Sequence, residues 1–471
     1  MDQGDALILG ANTDELRAAG VLGEHCAGVC ERAECDVSRE IVGVVWLGKD
    51  ASDFKGKWVD EVSPAILELV GSLRLFGEEL RHQAAEQDTA SAGAGGGEVR
   101  TANAPGAGTP KTVMGDSGEL DRIKDASPEE QRDWWASLSE DECHELIEKY
   151  PDVIGNLDGI PLLDRTDANQ VYAEQLVASG MPELTPQTQA VVQQVADGTI
   201  VAVRFDPYNE EMIQMIGVPS EATEHVINYA PGTYTTLDDF AYDGNGNRGA
   251  FGSIDWILSQ HSEDTVAFLY VNNQWADEIP GVQVPNPSGK HEGYGANDEQ
   301  VAMDAGEYVA SFTDGVLMSE PNLMNAKLSG VGHSFGHSVI TASEVAGIEY
   351  DVVVSYSGSN CVPDWSPSGG TQYANIQYDN DVLNPAQQFN VLYGGSGYNP
   401  DDRNGVYSTT EFRSDYVVTS NGTCTDQTGA TDMQGSHNRI MNPPAFIDGQ
   451  GREVSHWNTG PTEALEQTLY E

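Results

Sequence analysis

The stretch Gly332-His333-Ser334-Phe335-Gly336 decides how this chain folds. It reads G-x-S-x-G. An apolar run, Leu328 to Val331, leads into it, and a helix-capable run, Phe335 to Ala346, leads out. A strand that turns sharply into a helix needs small residues on both sides of the apex. Side chains there would collide with the adjoining strand and helix, and Gly332 and Gly336 avoid this. The helix N-terminus then directs its unpaired N–H groups at the serine, where a developing anion would be held.

Strand and helix patterns alternate outward from this bend. Thr199 to Phe205, His225 to Tyr229, Thr265 to Val271, Asp351 to Tyr356 and Tyr373 to Tyr378 read as strands, and Asp298 to Phe312 as a helix. Upstream, Ser127-Pro128-Glu129-Glu130 is a capping box with proline at the first helical position, opening a helix that carries Trp134, Trp135 and Leu138. A second helix is predicted from Ser139, with Glu142 three places on, ending at Tyr150-Pro151. Alternation of this kind predicts an α/β fold, a mostly parallel sheet with helices on both faces. Right-handed crossovers leave few strand orders. With the serine bend at its centre, the pattern resembles the α/β-hydrolases.

A serine hydroxyl is a weak nucleophile at neutral pH and needs a base, which needs an orienting carboxylate. In the α/β-hydrolases the chain order is serine, acid, histidine. Three histidines follow Ser334: His337, His437 and His456. His337 sits on the helix after the bend, which carries it away from the hydroxyl. His437 is predicted in a loop after the last strands, where the base belongs, and His456 beside Trp457 is the runner-up. The acid should follow the strand ending at Tyr378. Asp379 and Asp381 both qualify, and the position a little past the strand end favours Asp381. Phe335 is expected to give one oxyanion-hole N–H. The other is expected from the loop Ala230-Pro231-Gly232-Thr233-Tyr234, with Thr233 the choice and Tyr234 the fallback. This chemistry calls for no cofactor and no metal.

The chain also resembles the actinobacterial α/β-hydrolase family known as DUF1023, over about Ser127 to Gly449. The resemblance is carried by Trp134-Trp135-Ala136-Ser137-Leu138-Ser139, Tyr150-Pro151 and Ile154-Gly155-Asn156-Leu157-Asp158-Gly159-Ile160-Pro161. Asp164-Arg165, Ala168-Asn169, Ala230-Pro231-Gly232-Thr233 and the serine bend continue it. Asn380-Asp381-Val382 stands where that family has a Gly-Asp-Pro-like loop. The resemblance implies a serine hydrolase, often fused to a small helical segment, and defines no substrate. The expected substrate is therefore a small acyl-bearing molecule, an ester or a relative.

Residues 1–86 are predicted to be such a helical segment. Phe54, Trp58, Val62, Ile66, Leu69, Leu73, Phe76 and Leu80 form a helical stripe, with a break expected at Pro64. Trp46-Leu47-Gly48 before it resembles the bend of the WXG100 family of type VII secretion substrates. That resemblance implies a helical hairpin able to bind a helical partner or a second copy. In that reading the chain is a secreted interaction protein rather than an enzyme. The Tyr-x-x-x-acidic export signal has no counterpart here, since Leu80 stands four places after Phe76. Residues 87–117, rich in Gly, Ala and Pro, are expected to be a disordered linker, and 118–471 the hydrolase domain.

Charge narrows the partners. The 471 residues hold 75 acidic against 23 basic side chains, a net charge of −52. Such a polyanion repels phosphate backbones, so nucleic acid is not an expected partner. No apolar stretch is long enough to span a bilayer. Met1 to Asp14 has no basic n-region of a secretory signal peptide. The expected location is cytoplasmic, or outside the cell by a type VII-like route. Cys26, Cys30 and Cys35 follow His25 without the paired C-x2-C spacing of a zinc site, and one helix face accounts for Cys26 and Cys30. Cys361 and Cys424 both lie in the hydrolase region, where sequence leaves a disulfide open.

Overall fold

The computed structural model describes residues 117–243, 246–277, 295–379, 381–384, 393, 397–400, 405–413, 416–418, 424–426, 433–447, 453–455 and 458–471, with scattered positions between 55 and 67. The WXG100-like bend, the linker up to residue 116, Cys26, Cys30, Cys35 and His456 lie outside the described residues, and Ser117, expected at the linker's end, opens the helix Ser117–Lys124. Two compact units separate. One takes the chain to Asp121 with Ser139–Glu142 and Asp197–Thr199, and the other holds the remainder. The sheet and every candidate site residue belong to the second.

An eight-stranded sheet forms its centre: β1 (Val201–Asp206), β2 (Glu211–Ile216), β3 (His225–Ala230), β4 (Thr265–Val271), β5 (Lys327–Ser334), β6 (Val352–Gly358), β7 (Gln372–Tyr378) and β8 (Tyr407–Phe412). The strand order is β1-β2-β4-β3-β5-β6-β7-β8. Strand β2 runs antiparallel to both β1 and β4, and the pairs from β4 across to β8 are parallel. Every residue of β4 and β6 is buried, as expected of central strands covered on both faces. Among the described residues no helix is long and apolar enough to cross a membrane.

Local sequence accounts for most element ends. The Ser127–Glu130 capping box is formed in both directions at the start of the helix Pro128–Ala136. Within the first unit, Ser139 and Glu142 bond each other's backbone N–H in the same way. Pro151 does not simply stop a helix, as the sequence suggested. It opens a one-turn helix, Pro151–Ile154, because proline's fixed φ suits a first helical position. The helix expected over Asp298 to Phe312 runs further, Glu299–Ser319, with Asp298 as its N-cap. Cys361 is a free, buried thiol, so it is not disulfide-bonded to Cys424. Its burial excludes solvent, and its sulfur lies 3.5 Å from the Tyr407 hydroxyl.

The bend at Ser334 is fixed by close backbone approaches. A Cβ on Gly332 would lie 2.3 Å from the backbone of His337, and one on Gly336 would lie 1.9 Å from the Ala230 carbonyl oxygen. That oxygen ends β3, which pairs with β5 and cannot shift alone. Gly336→Ala should therefore cost about 2 kcal/mol or more in urea unfolding. Gly369→Ala, where nothing lies within 4 Å of the added methyl, should stay within about 0.5 kcal/mol of wild type. Equal stability of the two variants would contradict this packing.

At the far end of the same helix, Phe335–Val345, Glu344 accepts bonds from Trp365 Nε1 and the Tyr373 hydroxyl, both at 2.7 Å. Burial nevertheless pushes its carboxyl from 4.5 up to about 7. A carboxyl raised by folding favours the fold below its unfolded value, and that contribution fades as pH climbs through the folded value. Glu344→Gln should thus gain stability relative to wild type as pH rises from 4.5 to about 7. Melting curves of both proteins across that range check this, and a constant difference would refute it.

Candidate active site

Ser334 closes β5 and stands immediately before the helix Phe335–Val345, with φ 52° and ψ −124°. A non-glycine residue in so sparse a region costs about 1–3 kcal/mol and persists only where its surroundings impose it. Here the chain is packed closely against His337 and Ala230 at the two glycines, and Ser359 N–H holds the Ser334 carbonyl at 2.9 Å. Ser334 itself is partly exposed.

Asp381 and His437 are brought together from separate parts of the chain. Asp381 lies just past β7, its N–H bonded to the Tyr378 carbonyl at 3.2 Å and one carboxylate oxygen taking the Leu383 N–H at 2.8 Å. Its carboxylate meets His437 Nδ1 through both oxygens, at 2.9 and 3.0 Å. Both residues are buried. Burial alone would raise the Asp381 carboxyl. The adjacent His437, its hydrogen bond and the Leu383 N–H outweigh that and leave it below its ordinary value of 3.8. Asp379 is exposed, and its backbone N–H bonds Phe412 of β8. Of the two aspartates, Asp381, which its place past the strand end favoured, is the one paired with His437.

His437 does not sit in a loop, as the sequence suggested, but in the short helix Met433–Arg439. Its Nδ1 faces the Asp381 carboxylate, which only accepts, so the proton of that contact sits on Nδ1. Its carbonyl accepts a bond from His333 Nε2 at 3.3 Å, and the two imidazole rings lie 4.8 Å apart. His333 is thus a contact that sequence reasoning overlooked, although it stands inside the G-x-S-x-G motif. Burial, reinforced by the neighbouring His437, pushes His333 down to about 3, so it stays neutral beside its neighbour. Among the described residues the Ser334 hydroxyl makes no hydrogen bond, to His437 or otherwise. Such bonds are often long without substrate and tighten when it binds.

His337 is carried away from Ser334, as expected. It is buried behind the bend, with Nδ1 2.6 Å from the Ser359 carbonyl and Nε2 2.9 Å from the Tyr407 hydroxyl. Burial holds it neutral, down to about 4.

The loop after β3 lies against Ser334. A Cβ on Gly232 would meet His333 Nδ1 at 2.8 Å and Ser334 Cβ at 3.1 Å. The Gly232 carbonyl is held by Trp275 Nε1 at 3.2 Å. In a planar trans peptide the following N–H, that of Thr233, points the opposite way. Tyr234, with φ 69°, spends its N–H on the Ala276 carbonyl at 2.8 Å. The fallback donor is therefore engaged elsewhere. Phe335 is buried at the helix start, its ring edge-on to Trp275 with centroids 5.9 Å apart.

The strand order, the antiparallel β2 and the serine bend after β5 define an α/β-hydrolase fold. No protein-family model matches the chain. Over 43 residues it is 49% identical to two uncharacterized proteins of Mycobacterium tuberculosis, MT2140 and Rv2079. The match covers 9% of this chain and spans only 6% of the length of each relative. Among solved structures it is similar to XC6422 of Xanthomonas campestris, an α/β serine hydrolase without a lid. That match has 15% identity, covers 43% of this chain and 78% of that one, and has a TM-score of 0.27. A dienelactone hydrolase-like promiscuous phosphotriesterase from metagenomic libraries matches at 10% identity, over 50% of this chain and 92% of its own, with a TM-score of 0.27.

The lowered Asp381 carboxyl has a measurable consequence. A carboxyl depressed by folding stabilises the fold above its unfolded value, here 3.8, and that contribution is lost as pH falls below it. Asp381→Asn should be less stable than wild type near neutrality, with the gap closing in acid. A difference between Asp381→Asn and wild type that stays constant with pH in pH-resolved denaturation would contradict the pairing.

Proposed function

We propose that this chain is a serine hydrolase that cleaves an ester or related acyl bond through an acyl-enzyme. The reading is supported chiefly by one observation: a buried Asp381–His437 pair, with His437 tied by its carbonyl to the residue before Ser334.

In the proposed reaction Ser334 Oγ attacks the substrate carbonyl carbon while His437 Nε2 takes the hydroxyl proton. Asp381 fixes the imidazole tautomer and stabilises the imidazolium. The carbonyl oxygen becomes an oxyanion between the Phe335 and Thr233 N–H groups. Collapse breaks the bond to the leaving group, which departs with the proton from His437. Water then gives its proton to His437 and its oxygen to the acyl carbon. A second collapse frees the acid and returns the proton to Ser334. A neutral His333 suits this sequence, because a second cation 4.8 Å from the imidazolium would oppose its formation.

A fluorophosphonate probe should label the wild-type chain, and Ser334→Ala should abolish labelling. His437→Gln should slow hydrolysis of a p-nitrophenyl ester by about 10³-fold or more. Equal labelling of Ser334→Ala would overturn the proposal. A series of esters of graded acyl length then defines the substrate class.

A further inference from the structure

We propose that Asn458 is a positioning residue that sets the Asp381–His437 pair, an inference that rests on the serine-hydrolase reading. Asn458 immediately precedes the C-terminal helix Thr459–Tyr470. Asparagine in that place ordinarily turns its side chain onto the helix's first N–H groups. Here it makes no such cap. The amide is instead buried and directed inward.

Its two ends hold the two partners. The oxygen, Oδ1, accepts a 2.7 Å bond from the Tyr378 hydroxyl. Tyr378 is the last residue of β7, and its carbonyl receives the Asp381 N–H. The nitrogen, Nδ2, lies 2.6 Å from the Ile440 carbonyl and 3.0 Å from that of Asn442. These carbonyls belong to the segment directly after the helix that carries His437. One amide thus ties the strand leading to Asp381 to the chain leaving His437.

The chemistry suits an asparagine. Carbonyls only accept, so those of Ile440 and Asn442 fix which end of the amide faces them, and its two protons are shared with the nearby Ser253, Tyr356 and Thr462 hydroxyls. The Ser253 hydroxyl also reaches both carbonyls, at 2.6 and 2.8 Å, but has a single proton for the pair. The Ser253 N–H holds the intervening Met441 carbonyl at 2.6 Å. Arg439, two residues past His437, lies over the Tyr378 ring with its guanidinium carbon 4.2 Å from the centroid. The segment is therefore held against the end of β7 both by the amide and by the Arg439 guanidinium.

The prediction concerns His437 geometry rather than stability alone. In the full chain, proton NMR should show a downfield Nδ1–H resonance for His437, assigned by its loss in His437→Gln. Asn458→Ala should move or broaden that resonance. It should also lower kcat for ester hydrolysis by about 10- to 100-fold, with KM within about twofold, as expected for a small displacement of a catalytic group. Tyr378→Phe removes one arm only and guards against an unfolded Asn458 variant. It should shift the same resonance and give a smaller loss of kcat.

An unchanged resonance and kcat in folded Asn458→Ala, or in Tyr378→Phe should the first not fold, would overturn the proposal. A loss of kcat no larger than the unfolded fraction at the assay temperature, with the resonance intact, would overturn it too. The resonance needs no turnover. A wild type that hydrolyses nothing would therefore count against the enzymatic reading, while the spectrum still decides the role of Asn458.

Discussion

The Ser334 backbone is the constraint on which the rest of this structure depends. Its φ of 52° is unfavourable for a serine, and it survives because the chain on either side leaves no alternative. Gly336 lies against the end of β3, Gly332 against the start of the following helix, and Gly232 against Ser334 Cβ. Three close approaches therefore pack the chain tightly around the bend. The strain is local, and the buried central sheet sustains it.

The histidine is positioned by a different route. It comes from a short helix beside β7, and hydrogen bonds to buried groups hold it. Asp381 holds its ring, His333 its carbonyl, and Ser253 and Asn458 the carbonyls that follow. All four holders are buried. Polar groups in such surroundings are costly to leave unpaired, which favours a single arrangement over many loose ones. Neutral His333 and His337 line the region around the bend without adding charge to it.

Much of the sheet was legible because its central strands are apolar and its turns carry glycine and proline. Strand β4 has its expected bounds, and β3, β5, β6 and β7 differ from theirs by a few residues at the ends. Strand β2, Glu-Met-Ile-Gln-Met-Ile, gave no expectation. It lacks the β-branched run and the alternation that mark a strand, and its buried Gln214 faces Arg248. The long helix Leu162–Ser179 was hidden similarly, since its inward side carries Arg165 and Asn169 where an apolar stripe would be sought. In the site, the G-x-S-x-G motif placed Ser334, and chain order pointed to His437. Position past the strand end favoured Asp381 over Asp379, and the His437 hydrogen bonds that set it apart depend on tertiary structure. Asn458 carried no signal, because its role arises from segments that meet only in three dimensions.

The most direct test is a crystal structure of the full chain after reaction with a fluorophosphonate. The account predicts phosphorus bonded to Ser334 Oγ, and His437 Nε2 within about 3 Å of that oxygen. It also predicts the phosphoryl oxygen between the Phe335 and Thr233 N–H groups. A covalent adduct elsewhere, or His437 turned away with another group serving Ser334, would contradict it.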